Sequence, residues 1–129
     1  MNQQASRLRV LVVEDEALIR WSIAETLART GHTVIEADDA ASAIRELKEL
    51  SEPVDVVLLD YRLPDSNDLT LLATIRQLLP HTPVVVMTAY GTADVIGGAL
   101  DLGAYDVLDK PFDMQDIEPM LLQACAETR

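Results

Sequence analysis

Four short segments of this chain carry side chains able to do chemistry, and each follows an apolar run. Glu14-Asp15-Glu16 follows Leu8–Val13, and Asp60 follows Val56-Val57-Leu58-Leu59. Thr88-Ala89 follows Pro83–Met87, and Lys110-Pro111 comes just after Tyr105–Leu108. Apolar runs of this kind form buried strands, and in a parallel sheet all strand C-termini share one edge. The acids, the hydroxyl and the ammonium then converge on one crevice. Neighbouring carboxylates repel, so ionising them together needs a cation nearby. Oxygen-only ligands select a hard ion, Mg²⁺ before a transition metal. Lys110 is a point charge that can pair with an anion. Thr88 is a donor that can follow a newly arrived oxygen. Taken by its position alone, Asp60 reads equally well as a solvated loop acid, since Pro64 and the polar stretch Asp65-Ser66-Asn67-Asp68 follow it.

The elements that must position these residues alternate regularly. Five apolar runs, Leu8–Val13, Thr33–Ala37, Val54–Leu59, Pro83–Met87 and Tyr105–Leu108, are rich in Val and Leu. Between them the apolar spacing is helical. Ile19, Ile23 and Leu27 repeat at four, and Ala40, Ala43, Ile44 and Leu47 share a face, as do Leu71, Leu72, Ile75 and Leu79. Gly31 is placed to end the first helix and Gly103 the fourth. Asp38-Asp39 is placed to cap the second helix, Ser66 or Asn67 the third, and Thr92 the fourth. Five β-α repeats predict an α/β domain, a five-stranded parallel sheet doubly wound as (βα)5.

At 129 residues with 49% hydrophobic content, the chain makes one packed domain. Residues 1–7 are expected to be a flexible N-terminal segment and 8–127 the domain. No apolar stretch approaches the roughly 20 residues of a membrane span, and the polar start carries no signal-peptide core. Cys125 is the single cysteine, so no internal disulfide forms, and a reducing, cytoplasmic setting fits. The net charge of −12 argues against direct nucleic-acid binding, which needs clustered Lys and Arg. His32 and His81 are expected to be turn residues, and Cys125 a packing or surface residue of the last helix.

The four segments in this order resemble the receiver domain of two-component response regulators. The carrying motifs are Val12-Val13-Glu14-Asp15-Glu16, Leu59-Asp60-Tyr61-Arg62-Leu63-Pro64, Met87-Thr88-Ala89 and Lys110-Pro111-Phe112. Met87-Thr88-Ala89-Tyr90-Gly91 and Gly103-Ala104-Tyr105-Asp106 are most similar to receivers of enhancer-binding, sigma-54-dependent regulators. The resemblance implies the flavodoxin-like strand order 2-1-3-4-5. It implies that Asp60 accepts a phosphoryl group from a sensor histidine kinase, with Lys110 and Thr88 assisting. Asp15, Asp60 and the backbone carbonyl of Arg62 would hold Mg²⁺ directly, and Glu14 would act through water. The Lys110-Pro111 bond would be cis. Arg62 and Tyr90 would tune water access and hence phosphoryl lifetime. Helix one, where Trp21 lies about 200° round from Ile19, would dock the kinase. The face of helix four, strand five and helix five would switch, controlling an output domain, often AAA+ and DNA-binding in a longer chain, or forming a homodimer. The motif style leans towards an excised N-terminal domain of a transcriptional regulator, against a stand-alone regulator.

Several positions depart from the family's pattern. The aromatic residue expected three before the lysine is Val107, which has no ring to swing. Tyr105 lies two residues earlier and is expected to share the strand's side with Val107. A switch read mainly through Thr88 and helix four, without an aromatic rotamer change, follows. Gly97-Gly98 interrupts helix four, either for close packing or to leave the helix weakly formed. Pro119 is expected to bend a fifth helix starting near Asp113. Asp68 stands where the family has Gly. Other classes fit less well. An aspartyl phosphohydrolase needs a second acid two residues on, where Arg62 stands. A nucleotide- or flavin-binding domain needs a Gly-rich loop after strand one, which is lacking. A receiver-like interaction module independent of phosphorylation is disfavoured by the full set Asp15, Asp60, Thr88 and Lys110.

Overall fold

The computed structural model describes residues 7–128, so the expected flexible segment falls, apart from Arg7, outside the described residues. The chain alternates β1 (Arg9–Val13), α1 (Ala17–Arg29), β2 (Thr33–Ala37), α2 (Ala40–Glu49), β3 (Val56–Asp60), α3 (Thr70–Leu78), β4 (Val84–Thr88), α4 (Ala93–Asp101), β5 (Asp106–Asp109) and α5 (Ile117–Thr128). All strand pairs are parallel, in the order β2-β1-β3-β4-β5. This is the doubly wound α/β architecture that the alternation predicts, with the flavodoxin-like order that the resemblance implies. β3 and β4 are buried throughout, as uninterrupted apolar strands must be when helices cover both faces. The edge strands β2 and β5 are partly exposed and carry acids among their apolar residues.

Alternate residues of each strand feed two cores. Leu11, Val13, Val57, Leu59, Val84 and Val86 meet Ala43 of α2, Leu72 and Ile75 of α3 and Ala99 of α4. Val10, Val12, Val56, Leu58, Val85 and Met87 meet Ile23 and Leu27 of α1 and Ile117 and Leu121 of α5. Tyr105 and Val107 belong to different cores, which corrects the expectation that they share a side. Tyr105 precedes β5, so strand alternation does not extend back to it. Its hydroxyl donates to Glu127 Oε1 of α5 at 2.6 Å.

The helix ends follow the sequence with two corrections. Gly31 (φ 94°) and Gly103 (φ 99°) adopt the left-handed conformation just beyond α1 and α4, which glycine reaches without a Cβ penalty. Asp39 caps α2 in a box with Ser42, and Thr92 Oγ1 accepts from Val95 N at 3.3 Å. Neither Ser66 nor Asn67 caps α3. The Ser66 backbone is instead paired with Leu63, so the chain turns later, and Asp68 accepts from Thr70 N at 2.9 Å. That bond holds the Asp68 carboxyl below its ordinary pKa. Pro119 does not bend a helix begun at Asp113. A single 3-10 turn, Met114–Asp116, comes first, and Pro119 falls in the first turn of α5, where an N–H has no obligatory partner.

His32 is more than a turn residue. It is buried, its Nδ1 accepts from Leu8 N at 2.9 Å, and its Nε2 lies 2.7 Å from Glu118 Oε2. The Leu8 bond leaves the ring proton on Nε2, facing α5. His81 lines a cavity of about 320 Å³ with Cys125 at the opposite edge of the sheet from the carboxylates.

The two glycines of α4 differ. A Cβ at Gly98 would meet Leu69 Cδ1 at 2.8 Å, whereas a Cβ at Gly97 meets nothing within 4 Å. Close packing accounts for Gly98 and leaves Gly97 as a helix-weakening residue in open space. Gly97→Ala is therefore expected to stabilise the domain by roughly 0.5–1 kcal/mol in urea unfolding, and Gly98→Ala by less. An unchanged or lower midpoint for Gly97→Ala would contradict this.

Candidate functional site

The strand register brings the four chemical segments together. Val13 of β1 lies beside Leu59 of β3, Asp60 beside Met87 of β4, and Thr88 beside Asp109 of β5. The residues at or just beyond these positions are Glu14, Asp15, Asp60, Thr88 and Lys110. Asp15, Asp60 and Lys110 line one cleft of about 240 Å³ together with Glu16, Arg62, Ala89 and Tyr90, and Glu14 and Thr88 are buried beside it.

Lys110 crosses this edge to the acids. Its Nζ lies 2.7 Å from Glu14 Oε1, 3.2 Å from Asp60 Oδ2 and 3.8 Å from Glu16 Oε1. The peptide bond after it, to Pro111, is cis. Its backbone N–H donates to the Thr88 carbonyl at 2.8 Å, which ties the lysine to the end of β4. Glu14 is fully buried, and both of its oxygens are engaged, Oε1 by Lys110 and Oε2 by the Glu16 N–H at 3.1 Å. Asp60 is also buried, and its Oδ1 accepts from the Arg62 N–H at 3.4 Å.

The electrostatics follow from burial. Loss of water pushes the Glu14 and Asp60 carboxyls above their ordinary pKa, against the pull of Lys110. Burial works against the Lys110 ammonium as well, yet the two carboxylates hold it above its ordinary value. One ammonium thus serves two buried carboxylates, and the exposed carboxylate of Asp15 stands beside them. Glu14, Asp15 and Asp60 can each place an oxygen within 4.8 Å of the others. That donor set fits a hard divalent cation, with oxygen ligands alone and negative charge in excess.

Thr88 is buried behind the cleft, and its Oγ1 accepts from the Tyr90 N–H at 2.8 Å. Val107 and Tyr105 do not line the cleft. Tyr105 is held to α5, and its hydrogen bond to Glu127 pushes its hydroxyl up to about 12. At the mouth, the Arg62 guanidinium stacks on the Tyr90 ring, 4.2 Å from the centroid. Such a contact is worth about 0.5–1 kcal/mol at an exposed site. Neither composition nor spacing announces the pairing. Its signal is positional, since each residue lies two beyond the end of one of two adjacent parallel strands. Beside the cleft, Ile19, Ala89, Pro111, Phe112 and Met114 form an apolar groove of about 340 Å³. Leu18 (74% exposed) and Trp21 (57% exposed) present apolar surface on α1.

Among the described residues no helix is long and apolar enough to cross a membrane. Residues 10–122 match the response regulator receiver domain family. The response regulator protein PilR of Pseudomonas aeruginosa is 39% identical over 122 residues, 92% of this chain and 26% of that protein. The DNA-binding transcriptional regulator NtrC of Proteus hauseri is 35% identical over 120 residues, 93% of this chain and 25% of that protein. The chain therefore spans about a quarter of the length of these relatives. The solved receiver domain of NtrX from Brucella abortus is 34% identical, with a TM-score of 0.80 over 93% of this chain and 99% of that one. With its parallel sheet, its carboxylate edge and these likenesses, the chain belongs to the response regulator receiver domain family, a family of signalling domains.

Proposed function

We propose that Asp60 is the phosphoacceptor of this receiver and that the donor is a phosphohistidine of a sensor kinase. The observation that carries the reading is the buried Asp60 carboxylate, 3.2 Å from Lys110 and inside a cluster of three acids. In the transfer, a carboxylate oxygen of Asp60 bonds to phosphorus as the phosphorus–nitrogen bond breaks, and its electron pair stays with the imidazole. Such transfer is mostly positioning plus stabilisation of oxygen charge. Lys110 supplies a fixed positive charge beside the accepting oxygen, and Thr88 supplies a hydroxyl that can turn towards the new phosphoryl oxygens. Asp15, Asp60 and the Arg62 backbone carbonyl would hold Mg²⁺, with Glu14 acting through water. Bound there, Mg²⁺ supplies neutralisation of the phosphoryl oxygens. The domain's chemistry is confined to gaining and losing its own phosphoryl group.

The setting is cytoplasmic, where a kinase and a transcriptional output meet. The apolar groove beside α1, with Leu18 and Trp21, suits a docking kinase. The α4, β5 and α5 face is the output face, for an output domain in a longer chain or for a second copy. Thr88 stands at the start of the loop leading to α4, so a shift of its hydroxyl biases that loop.

Three outcomes test these assignments. With Mg²⁺ and acetyl phosphate, intact mass should show one phosphoryl adduct on the wild type and none on Asp60→Ala. An equal adduct on the variant would remove Asp60 from its role.

The second concerns pH and metal. The folded-state pKa values of Glu14 and Asp60 are raised, so between the ordinary and raised values the folded state holds protons that the unfolded chain has lost. The stability these groups give is complete below the ordinary carboxylate range and falls as pH rises through the raised values. At neutral pH without divalent cation, Asp60→Asn should therefore melt several degrees above the wild type, and Mg²⁺ should raise the wild-type midpoint more than the variant's. A lower midpoint for the variant, or equal Mg²⁺ shifts, would contradict the assignment.

The third separates docking from chemistry. Trp21→Ala should slow phosphotransfer from the cognate kinase and leave the rate from acetyl phosphate unchanged. Equal slowing with both donors would show that Trp21 matters to the fold of the domain.

A further inference from the structure

Arg62 and Tyr90 lie at equivalent places, each two residues past the end of a strand, on the adjacent strands β3 and β4. Their backbones touch the reactive groups. The Arg62 N–H donates to Asp60 Oδ1 at 3.4 Å, and the Tyr90 N–H donates to Thr88 Oγ1 at 2.8 Å. Their side chains meet over the cleft, with the guanidinium 4.2 Å from the ring centroid. The stack thus joins the loop after Asp60 to the loop after Thr88.

The charges in the cleft show what this guanidinium is placed to do. Lys110 is already divided between Glu14 at 2.7 Å and Asp60 at 3.2 Å. A phosphoryl group on Asp60 would bring a charge of roughly −1.5 to −2 and three acceptor oxygens, more than one shared ammonium can match. Arg62 is the other cation lining the cleft. Among the described residues its guanidinium is partnered by the Tyr90 ring and not by a carboxylate. Tyr90 is 50% exposed, and a cation–π contact at an exposed ring is weaker than paired, charge-assisted hydrogen bonds from a planar guanidinium to phosphoryl oxygens.

We propose that Arg62 is a second phosphoryl-binding cation, parked on Tyr90 while Asp60 is unmodified, and that its move to the phosphoryl oxygens frees Tyr90 to report phosphorylation. The proposal rests on the phosphoacceptor reading of Asp60. It supplies an aromatic reporter where Val107 offers no ring and Tyr105 is tied to Glu127 on the other face of the sheet. Phosphoryl lifetime, which the family resemblance already ties to these two positions, then reads out where the guanidinium sits. In hydrolysis a water oxygen bonds to phosphorus while the phosphorus–oxygen bond to Asp60 breaks and the carboxylate leaves with the electron pair. A guanidinium across the phosphoryl oxygens at the cleft mouth obstructs that water and lengthens the adduct's life.

The test follows carbon-13-labelled tyrosine rings of the intact chain by NMR, before and after Mg²⁺ and beryllofluoride, an aspartyl phosphate mimic. Adduct decay after acetyl phosphate is followed in parallel by intact mass. In the wild type the Tyr90 ring signals should shift on adding the mimic. In Arg62→Gln they should be shifted already at rest, and the adduct should decay severalfold faster. Arg62→Lys, which keeps a cation but not the planar fork, should restore most of the lifetime. Tyr90 signals unmoved by the mimic in the wild type, or an Arg62→Gln lifetime equal to the wild type, would overturn the proposal while leaving Asp60 its role. Absence of any adduct on the wild type would overturn both.

Discussion

A single buried ammonium between two buried carboxylates is the constraint around which this domain is organised. Lys110 reaches Glu14 and Asp60 from the far side of the sheet edge, and each of the three would be costly to bury alone. The arrangement requires β1, β3, β4 and β5 to end together, and the parallel register delivers that. It also requires the strands to be held rigidly, which the two cores achieve by covering both faces of β3 and β4. The lysine does not neutralise the set, because Asp15 adds a further acid at the opening. The residual negative charge suits the cleft to a hard cation, and the fixed ammonium beside it suits an anion. Both needs arise from one imbalance that folding leaves in place.

The cleft communicates with the surface through short connections. Lys110 is bonded to the Thr88 carbonyl, and the Thr88 hydroxyl to the Tyr90 N–H, so the ends of β4 and β5 and the start of the loop to α4 share one bonded chain. Gly91 lies against the Asp109 carboxylate, so close that any side chain there would displace it. The loop after β4 is thereby laid directly on the end of β5. α4 itself carries Gly97 in open space, which keeps its helix weaker than packing demands. A rigid cleft next to a lightly held helix is a combination that lets a local change in charge bias a remote surface.

Much of this was legible in the residues. Strand type and the convergence of Glu14, Asp15, Asp60, Thr88 and Lys110 follow from uninterrupted apolar runs and from the geometry of parallel sheets, whereas the strand order follows from the family resemblance. The caps at Asp39 and Thr92 and the helix ends at Gly31 and Gly103 follow from local chemistry. What escaped depends on contacts between segments distant in the chain. Asp65 caps α2 from another loop by accepting from Ala40 and Ala41, at 2.7 and 3.0 Å, and nothing near Ala40 announces it. Local sequence shows His32 only as a turn residue because its partners, Leu8 and Glu118, are far from it along the chain. Strand alternation puts Tyr105 on the side of Val107, but the strand begins only at Asp106. The Arg62–Tyr90 stack follows from adjacency of β3 and β4, and side-chain direction at loop positions is not encoded by period.

The most direct test of the buried triad is a carbon-detected NMR titration of the Glu14 and Asp60 side-chain carboxyls, without and with Mg²⁺. Without the ion both should titrate above the ordinary carboxylate range, because burial outweighs the one shared ammonium. With the ion both should fall, as a cation joins the cluster. Carboxyls that titrate in or below the ordinary range without Mg²⁺, and do not respond to it, would contradict the claim that this cleft is short of positive charge.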